Sequence, residues 1–183
     1  MAVYTAVSDQ DLALFLADYD IGRAVSFKGI AEGVENSNYF LLTGQGPYIL
    51  TLYEKRVAPE DLPYFLGLME HLARRGLACP TPIHGPDGEM LRELCGPPAA
   101  VTSFLSGAWP LRPATSHCGP LGEALAKMHV AGLDYPERRE NALSVAGWRT
   151  LFNQSEARAD EVEPGLAREL AGELEELAAR WPR

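Results

Sequence analysis

The sequence predicts an α+β fold: a five-stranded antiparallel sheet interrupted by one helix, followed by helices alone. Three observations predict it. Five short strand-like segments lie between residues 24 and 105, separated by Gly, Pro, Asn and Asp. A segment of helical period opens at Pro59, between the third and fourth of them. Beyond Ser106 every apolar pattern has helical spacing.

The first element is a helix that Ser8 can cap, with Asp11 where a capping-box acid sits. Leu12, Phe15, Leu16 and Tyr19 share one face, and Gly22 closes it. Strands follow at 24–30, 38–43 and 48–53, the last two joined by Gly44-Gln45-Gly46-Pro47. Such short connections give an antiparallel meander. Pro59 suits the first turn of the interrupting helix. Its stripe is Leu62, Phe65, Leu66, Met69 and Leu72, with Arg74, Arg75 and Gly76 at its end. Two further strands are expected at 90–94 and 99–105, split by Gly96-Pro97-Pro98.

Gly107-Ala108-Trp109-Pro110 marks a break, dividing the chain into 1–105 and 106–183. Ser116 is expected to cap a helix that turns Leu121, Leu125 and Met128 inward. Trp148, Leu151 and Phe152 suggest another helix. A last one opens at Pro164 and carries Leu166, Leu170, Leu174, Leu177 and Trp181 on one stripe. No later segment covers that stripe, so self-association through this helix is expected.

Composition narrows the function classes. The 183 residues are 46% hydrophobic, enough for a packed core, and carry a net charge of -9. That balance argues against nucleic acid as a partner, since phosphate backbones need clustered Lys and Arg. Cys79, Cys95 and Cys118 show no C-x-x-C spacing, so neither a disulfide framework nor a zinc site is expected. The N-terminus has no leader pattern, and no apolar run approaches a membrane span. The expectation is a cytoplasmic protein with no membrane partner.

Three stretches could carry chemistry. The loop 31–38 between the first two strands holds Gly33, Asn36, Ser37 and Asn38. Gly33 permits close backbone approach, and the neutral donors could cover a phosphate chain. Gly and Asn are equally the ordinary residues of hairpin turns. Lys28 in the first strand and Lys55 after the third are two of only three lysines, and either could meet phosphate as a point charge. A solvated edge-strand lysine is the plainer reading. Finally, Ser103, Phe104 and Leu105 run from an apolar strand into the Gly107 linker. This is a hinge whose backbone could bond a planar base. None of the four histidines has a second ligand at metal spacing, and His129 reads as a core histidine.

Together these stretches resemble a known family. The run from Phe27 to Phe40 (FKGIAEGVENSNYF) and the run from Tyr48 to Arg56 (YILTLYEKR) are similar to the opening of bacterial homoserine kinases. Those belong to the aminoglycoside-phosphotransferase-like superfamily. Gly76 to Pro82 resembles its turn after the N-lobe helix, 99–107 its hinge, and 122–129 its first C-lobe helix. The resemblance implies a protein-kinase-like fold, ATP with Mg2+ between two lobes, and phosphoryl transfer to the side-chain hydroxyl of L-homoserine in threonine biosynthesis.

Two departures from the family pattern stand out. The third strand reads Leu50-Thr51-Leu52 where relatives carry a phosphate-holding lysine, so Lys28 or Lys55 would have to serve. The acidic partner on the N-lobe helix would be Glu60 or Glu70. The family's His-x-Asp-x-x-x-x-Asn loop and its Ile-Asp-Phe-type metal strand are both absent from the 183 residues. The resemblance therefore implies a front portion, with no catalytic or metal residue of its own and inactive alone. Two other readings stay open: a kinase of the superfamily acting on choline, an aminoglycoside or methylthioribose, and a nucleotide-binding module without catalysis.

Overall fold

The structure is a computed structural model that describes residues 3–54, 57–108 and 110–181. Lys55 thus lies outside the described residues. The chain forms two compact units, Met1–Glu137 and Arg138–Arg183.

The first unit opens with α1 (Asp9–Leu16). Ser8 caps it, accepting the Asp11 N–H at 3.1 Å and donating its own hydroxyl to the Asp11 carboxylate at 2.5 Å. Leu12, Phe15, Leu16 and Tyr19 are all buried, as the spacing predicts. The helix ends at Leu16 and passes through a turn; Gly22, at φ 77°, sits beyond that turn, directly ahead of the sheet.

The sheet is antiparallel throughout, with strands β1 (Ala24–Gly29), β2 (Ser37–Thr43), β3 (Gly46–Leu52), β4 (Arg92–Glu93) and β5 (Pro98–Ser103). Their spatial order is β1-β2-β3-β5-β4. Thr43 pairs with Gly46, so the β2–β3 turn is the two residues Gly44-Gln45, and the Thr43 hydroxyl accepts the Gln45 N–H at 3.1 Å. Between β3 and β4 runs a short 3-10 turn at Pro59–Asp61 and then α2 (Leu62–Arg74). Pro59 takes the early helical position expected of it. Leu62, Leu66 and Leu72 are buried, whereas Phe65 lies at the surface.

The fourth and fifth strands are shorter than the sequence suggests. Only Arg92 and Glu93 pair with β5, because beyond Ala99 that edge of β5 is taken by the segment at 81–83, the Ile83 N–H bonding the Val101 carbonyl and the Ser103 N–H the Thr81 carbonyl, both at 2.9 Å. The chain reverses at Cys95 and Gly96. Both have positive φ, 56° and 109°, the backbone hand of a tight hairpin. β5 stops at Ser103, which leaves Phe104 and Leu105 outside the sheet and exposed.

After a 3-10 turn at Thr115–His117 comes α3 (Cys118–Gly132), which packs on α2 and falls in the first unit. Ser116 does not cap it. It sits inside the 3-10 turn, and His117 instead reaches back, Nδ1 accepting the Ala114 N–H at 2.8 Å. The inward stripe expected here is also corrected. Leu121 is 61% exposed and Leu125 and His129 are on the surface, while Ala131 is the buried residue of the helix. The reason is that α3 meets α2 near its C-terminal end. There the His71 imidazole lies 2.9 Å from the Ala131 carbonyl, and Tyr135, just beyond α3, donates to the Tyr64 carbonyl at 3.1 Å.

The second unit is the pair α4 (Val145–Ala159) and α5 (Leu166–Arg180). Ser144 caps α4 through the Gly147 N–H, and Gly165, at φ 90°, turns the chain into α5. Trp148 and Trp181 meet edge to face at 5.3 Å. No residue of α5 is fully buried: along its apolar stripe Leu166 and Leu174 are half-buried, and Leu170, Leu177 and Trp181 are exposed. Among the described residues no helix is long and apolar enough to cross a membrane.

Candidate functional site

The register divides the sheet into two unlike faces, because residues opposite one another point the same way. On one face Tyr39, Leu41, Leu50, Leu52, Ala99 and Val101 form the core with α1. The other face is half open. Its central row crosses four strands as Lys28, Phe40, Ile49 and Thr102. The neighbouring row is Asn38, Thr51 and Ala100. Phe40, Ile49, Asn38 and Thr51 are half-buried and Lys28 is exposed.

The two loops singled out by sequence lie at opposite ends of this face. The Gly33 loop leaves β1 beside the Asn38 row, closed at its base by the Ile30 N–H on the Asn38 carbonyl at 2.8 Å. Gly33 adopts φ 115°, a conformation that L side chains rarely take. At the far end β5 runs out through Ser103 to Phe104, four residues or roughly 13 Å along the strand from Ala100. Phe104 returns onto the face, its ring 5.4 Å from that of Phe40 and edge-on to it. The Ser103 hydroxyl accepts the Thr81 N–H at 2.9 Å, fixing the start of the hinge.

The predicted polar residues divide between two tasks. Asn38 faces the open side, and the Thr51 hydroxyl donates to its Oδ1 at 2.9 Å, which turns Nδ2 into the donor presented there. Lys28 stands one row away on the same face. Ser37 belongs to the opposite face and is fully buried. Its Oγ accepts the N–H groups of Tyr4 and Thr5 at 2.8 and 3.1 Å and donates to Glu54 at 2.5 Å. That hydroxyl is used inside the fold, with no capacity left for a ligand. Asn36 Oδ1 accepts the Glu54 N–H at 3.4 Å. Burial pushes the Tyr39 phenol up from its ordinary pKa, so it stays a donor, and it donates to the Thr5 carbonyl at 2.5 Å.

Neither acidic candidate of the helical segment reaches the open face through a contact. Glu70 binds Arg74 at 2.7 Å and His84 at 2.9 Å, which ties α2 to the turn at 85–88. Glu60 lies exposed in the 3-10 turn. Sequence reasoning missed Thr51, Glu54, Tyr4 and Thr5. A two-residue turn at 44–45 would have placed Thr51 opposite Asn38. Nothing local to the sequence links Tyr4 to Ser37, 33 residues away. Among the described residues no group of three His, Cys, Asp or Glu side chains is placed to hold a metal ion.

A helix-interrupted five-stranded sheet with one open face, bounded by a glycine loop and a hinge, is the architecture of a protein-kinase-like fold. Spectinomycin phosphotransferase, solved with ADP and spectinomycin, shares it with a TM-score of 0.54 over 85% of this chain and 55% of its own, at 15% identity. The chain belongs to the phosphotransferase enzyme family, whose sequence model matches residues 26–183. Among curated relatives it is 63% identical over 183 residues to the homoserine kinase of Paramagnetospirillum magneticum and 60% identical over 182 to that of Rhodospirillum rubrum. Both matches take in all of this chain, which spans 56% and 57% of those relatives' lengths.

Proposed function

We propose that this chain is the nucleotide-binding portion of a cytoplasmic homoserine kinase, which transfers the γ-phosphoryl group of ATP to the hydroxyl of L-homoserine. The observation that carries the nucleotide part is the open sheet face. Apolar Phe40 and Ile49 lie between a hinge at 103–105 and the Asn38 row with the Gly33 loop, and Lys28 stands beside Phe40 in the same row. A planar base fits the apolar, hinge-bordered end, where the backbone after Ser103 is outside the sheet and offers hydrogen-bonding groups. The phosphates fit the other end, where Asn38 presents a donor, Gly33 admits the backbone closely and Lys28, one row away, would supply positive charge. Lys55 is the second candidate cation of this reading. The acceptor rests on the relatives at about 60% identity.

Phosphoryl transfer is mostly positioning and charge stabilisation. The residues present would orient the nucleotide. The chemistry that Mg2+ would supply is charge neutralisation at the phosphates, and the residues that would hold it, like the general base, are expected outside these residues. The 183-residue chain should accordingly bind nucleotide and turn over nothing. Thermal melts with ADP and with adenosine test the first half: ADP should raise Tm more than adenosine, and no shift with either overturns it. A chimera joining these residues to the remaining part of the Paramagnetospirillum enzyme tests the second. It should phosphorylate homoserine. A chimera active only on choline or an aminoglycoside would overturn the acceptor.

A further inference from the structure

The residues ahead of α1 lie across the base of the Gly33 loop and are bonded to it in sequence. The Tyr4 hydroxyl donates to the Val34 carbonyl at 2.9 Å, at the crest of the loop. The backbone N–H groups of Tyr4 and Thr5 converge on Ser37 Oγ, where the loop enters β2. The Thr5 hydroxyl donates to Glu54 Oε2 at 3.1 Å, while Ser37 donates to Oε1 of the same carboxylate. The Glu54 N–H in turn reaches back to Asn36. Tyr39 fastens the arm from below through the Thr5 carbonyl. The fit is close on the β1 side as well: a Cβ on Gly29 would come within 2.8 Å of Val3 Cγ2.

Two features mark this as more than ordinary packing. First, loop residues 31–35 are exposed, and the loop's crest is held by a bond from the arm. Second, the carboxylate at the centre takes both hydroxyl donors, one on each oxygen, so arm, loop end and β3 end share a single anchor. Charge-assisted bonds of this kind are about twice as strong as neutral ones. Resting on the nucleotide reading above, we propose that Tyr4 and Thr5, acting through Ser37 and Glu54, are positioning residues for the phosphate-binding loop. They touch no nucleotide. They hold the loop backbone in the conformation in which its N–H groups meet the phosphates, so that less ordering is required when ligand arrives.

The test uses two mild variants, Tyr4→Phe and Thr5→Val, since Ser37→Ala would strand several buried groups and disturb folding. ADP and adenosine binding are measured by titration calorimetry on the 183-residue chain. Amide hydrogen exchange in 31–36 is measured without ligand. Each variant should weaken ADP binding by about threefold to tenfold, the scale of one hydrogen bond, and leave adenosine binding unchanged. Exchange across the loop should accelerate. Equal loss of ADP and adenosine affinity would mean a general destabilisation and would overturn the proposal. Unchanged exchange in both variants would overturn the strap while leaving nucleotide binding standing. A wild-type chain that binds neither ligand overturns the nucleotide reading, and the phosphate role of the strap falls with it.

Discussion

The sheet and the helices that follow it both carry regular apolar patterns and bury them to different degrees. Leu41, Leu50, Leu52 and Val101 are wholly inaccessible, each covered by neighbouring strands and by α1. Leu121 in α3 and Leu170 and Leu177 in α5 occupy equally regular positions and remain on the surface. Periodicity identifies the face that a segment can bury. Whether that face is buried depends on a partner: α1 covers the apolar side of the sheet, whereas α3 meets α2 only near its C-terminal end and α5 meets α4 with Leu170 and Leu177 left on the surface.

The largest expected effect follows from that contrast. Leu50→Ala should cost about 3 kcal/mol, because it removes transfer energy and leaves a cavity in a core that cannot collapse. Leu170→Ala, at a site 39% exposed, should cost about 1 kcal/mol or less. Urea unfolding followed by circular dichroism measures both. Similar losses at the two sites would show that α5 is as well packed in solution as the sheet.

A second, smaller effect probes the place where α2 and α3 are joined. Alanine normally stabilises a helix interior over glycine by about 1 kcal/mol. At Gly67, however, the added Cβ would lie 2.6 Å from the Tyr135 hydroxyl oxygen, and Tyr135 is buried with that hydroxyl bonded to Tyr64. Overpacking of this kind costs about 1–3 kcal/mol, so Gly67→Ala should destabilise. In a Tyr135→Phe background the obstructing oxygen is gone, and the same substitution should become neutral or favourable. A stabilising Gly67→Ala in the wild-type chain would show that the α2–α3 contact is loose.

The same contrast explains what was legible in the sequence. The Ser8 cap, the α1 face and strands β1 to β3 could be read because each is set within a few residues by a side chain, a period or a turn. The open face was half legible. Lys28 and Asn38 were identified, but their shared side depends on β1–β2 register, which the long 31–36 loop does not fix, and Thr51 was missed because the turn was read as Gly44-Gln45-Gly46-Pro47 when it is Gly44-Gln45 alone. Ser37 looked like a loop donor because its three partners come from residues 4, 5 and 54. The stripe of α3 was read correctly as a pattern and wrongly as buried, since no sequence period states what lies opposite. β4 was overextended because Met90 and Leu91 have strand character, yet the edge of β5 beyond Ala99 is taken by residues 81–83, which leaves only Arg92 and Glu93 to pair.

The smallest expected effect concerns how firmly the sheet's own periphery is tied to α2. His84 bonds the Gly88 carbonyl through Nδ1 at 2.8 Å and the Glu70 carboxylate through Nε2 at 2.9 Å. Both partners are acceptors, so both ring nitrogens donate and the imidazolium is the form that fits. The Gly88 carbonyl, and after it Glu70, raise the His84 pKa above its ordinary value of 6.5 against an opposing effect of partial burial. A group whose folded pKa is raised adds stability that is fully present below the unfolded value and is lost as pH rises through the folded one. Wild type should therefore exceed His84→Asn in stability at pH 5.5, and the margin should shrink by pH 8.5. His84 is partly exposed, so the margin is small and salt should reduce it. A margin constant across that range would mean that His84 holds the turn as a neutral ring. A margin that grew with pH would mean that burial outweighs the two acceptors and lowers the folded pKa, so that the neutral ring is the form the fold favours.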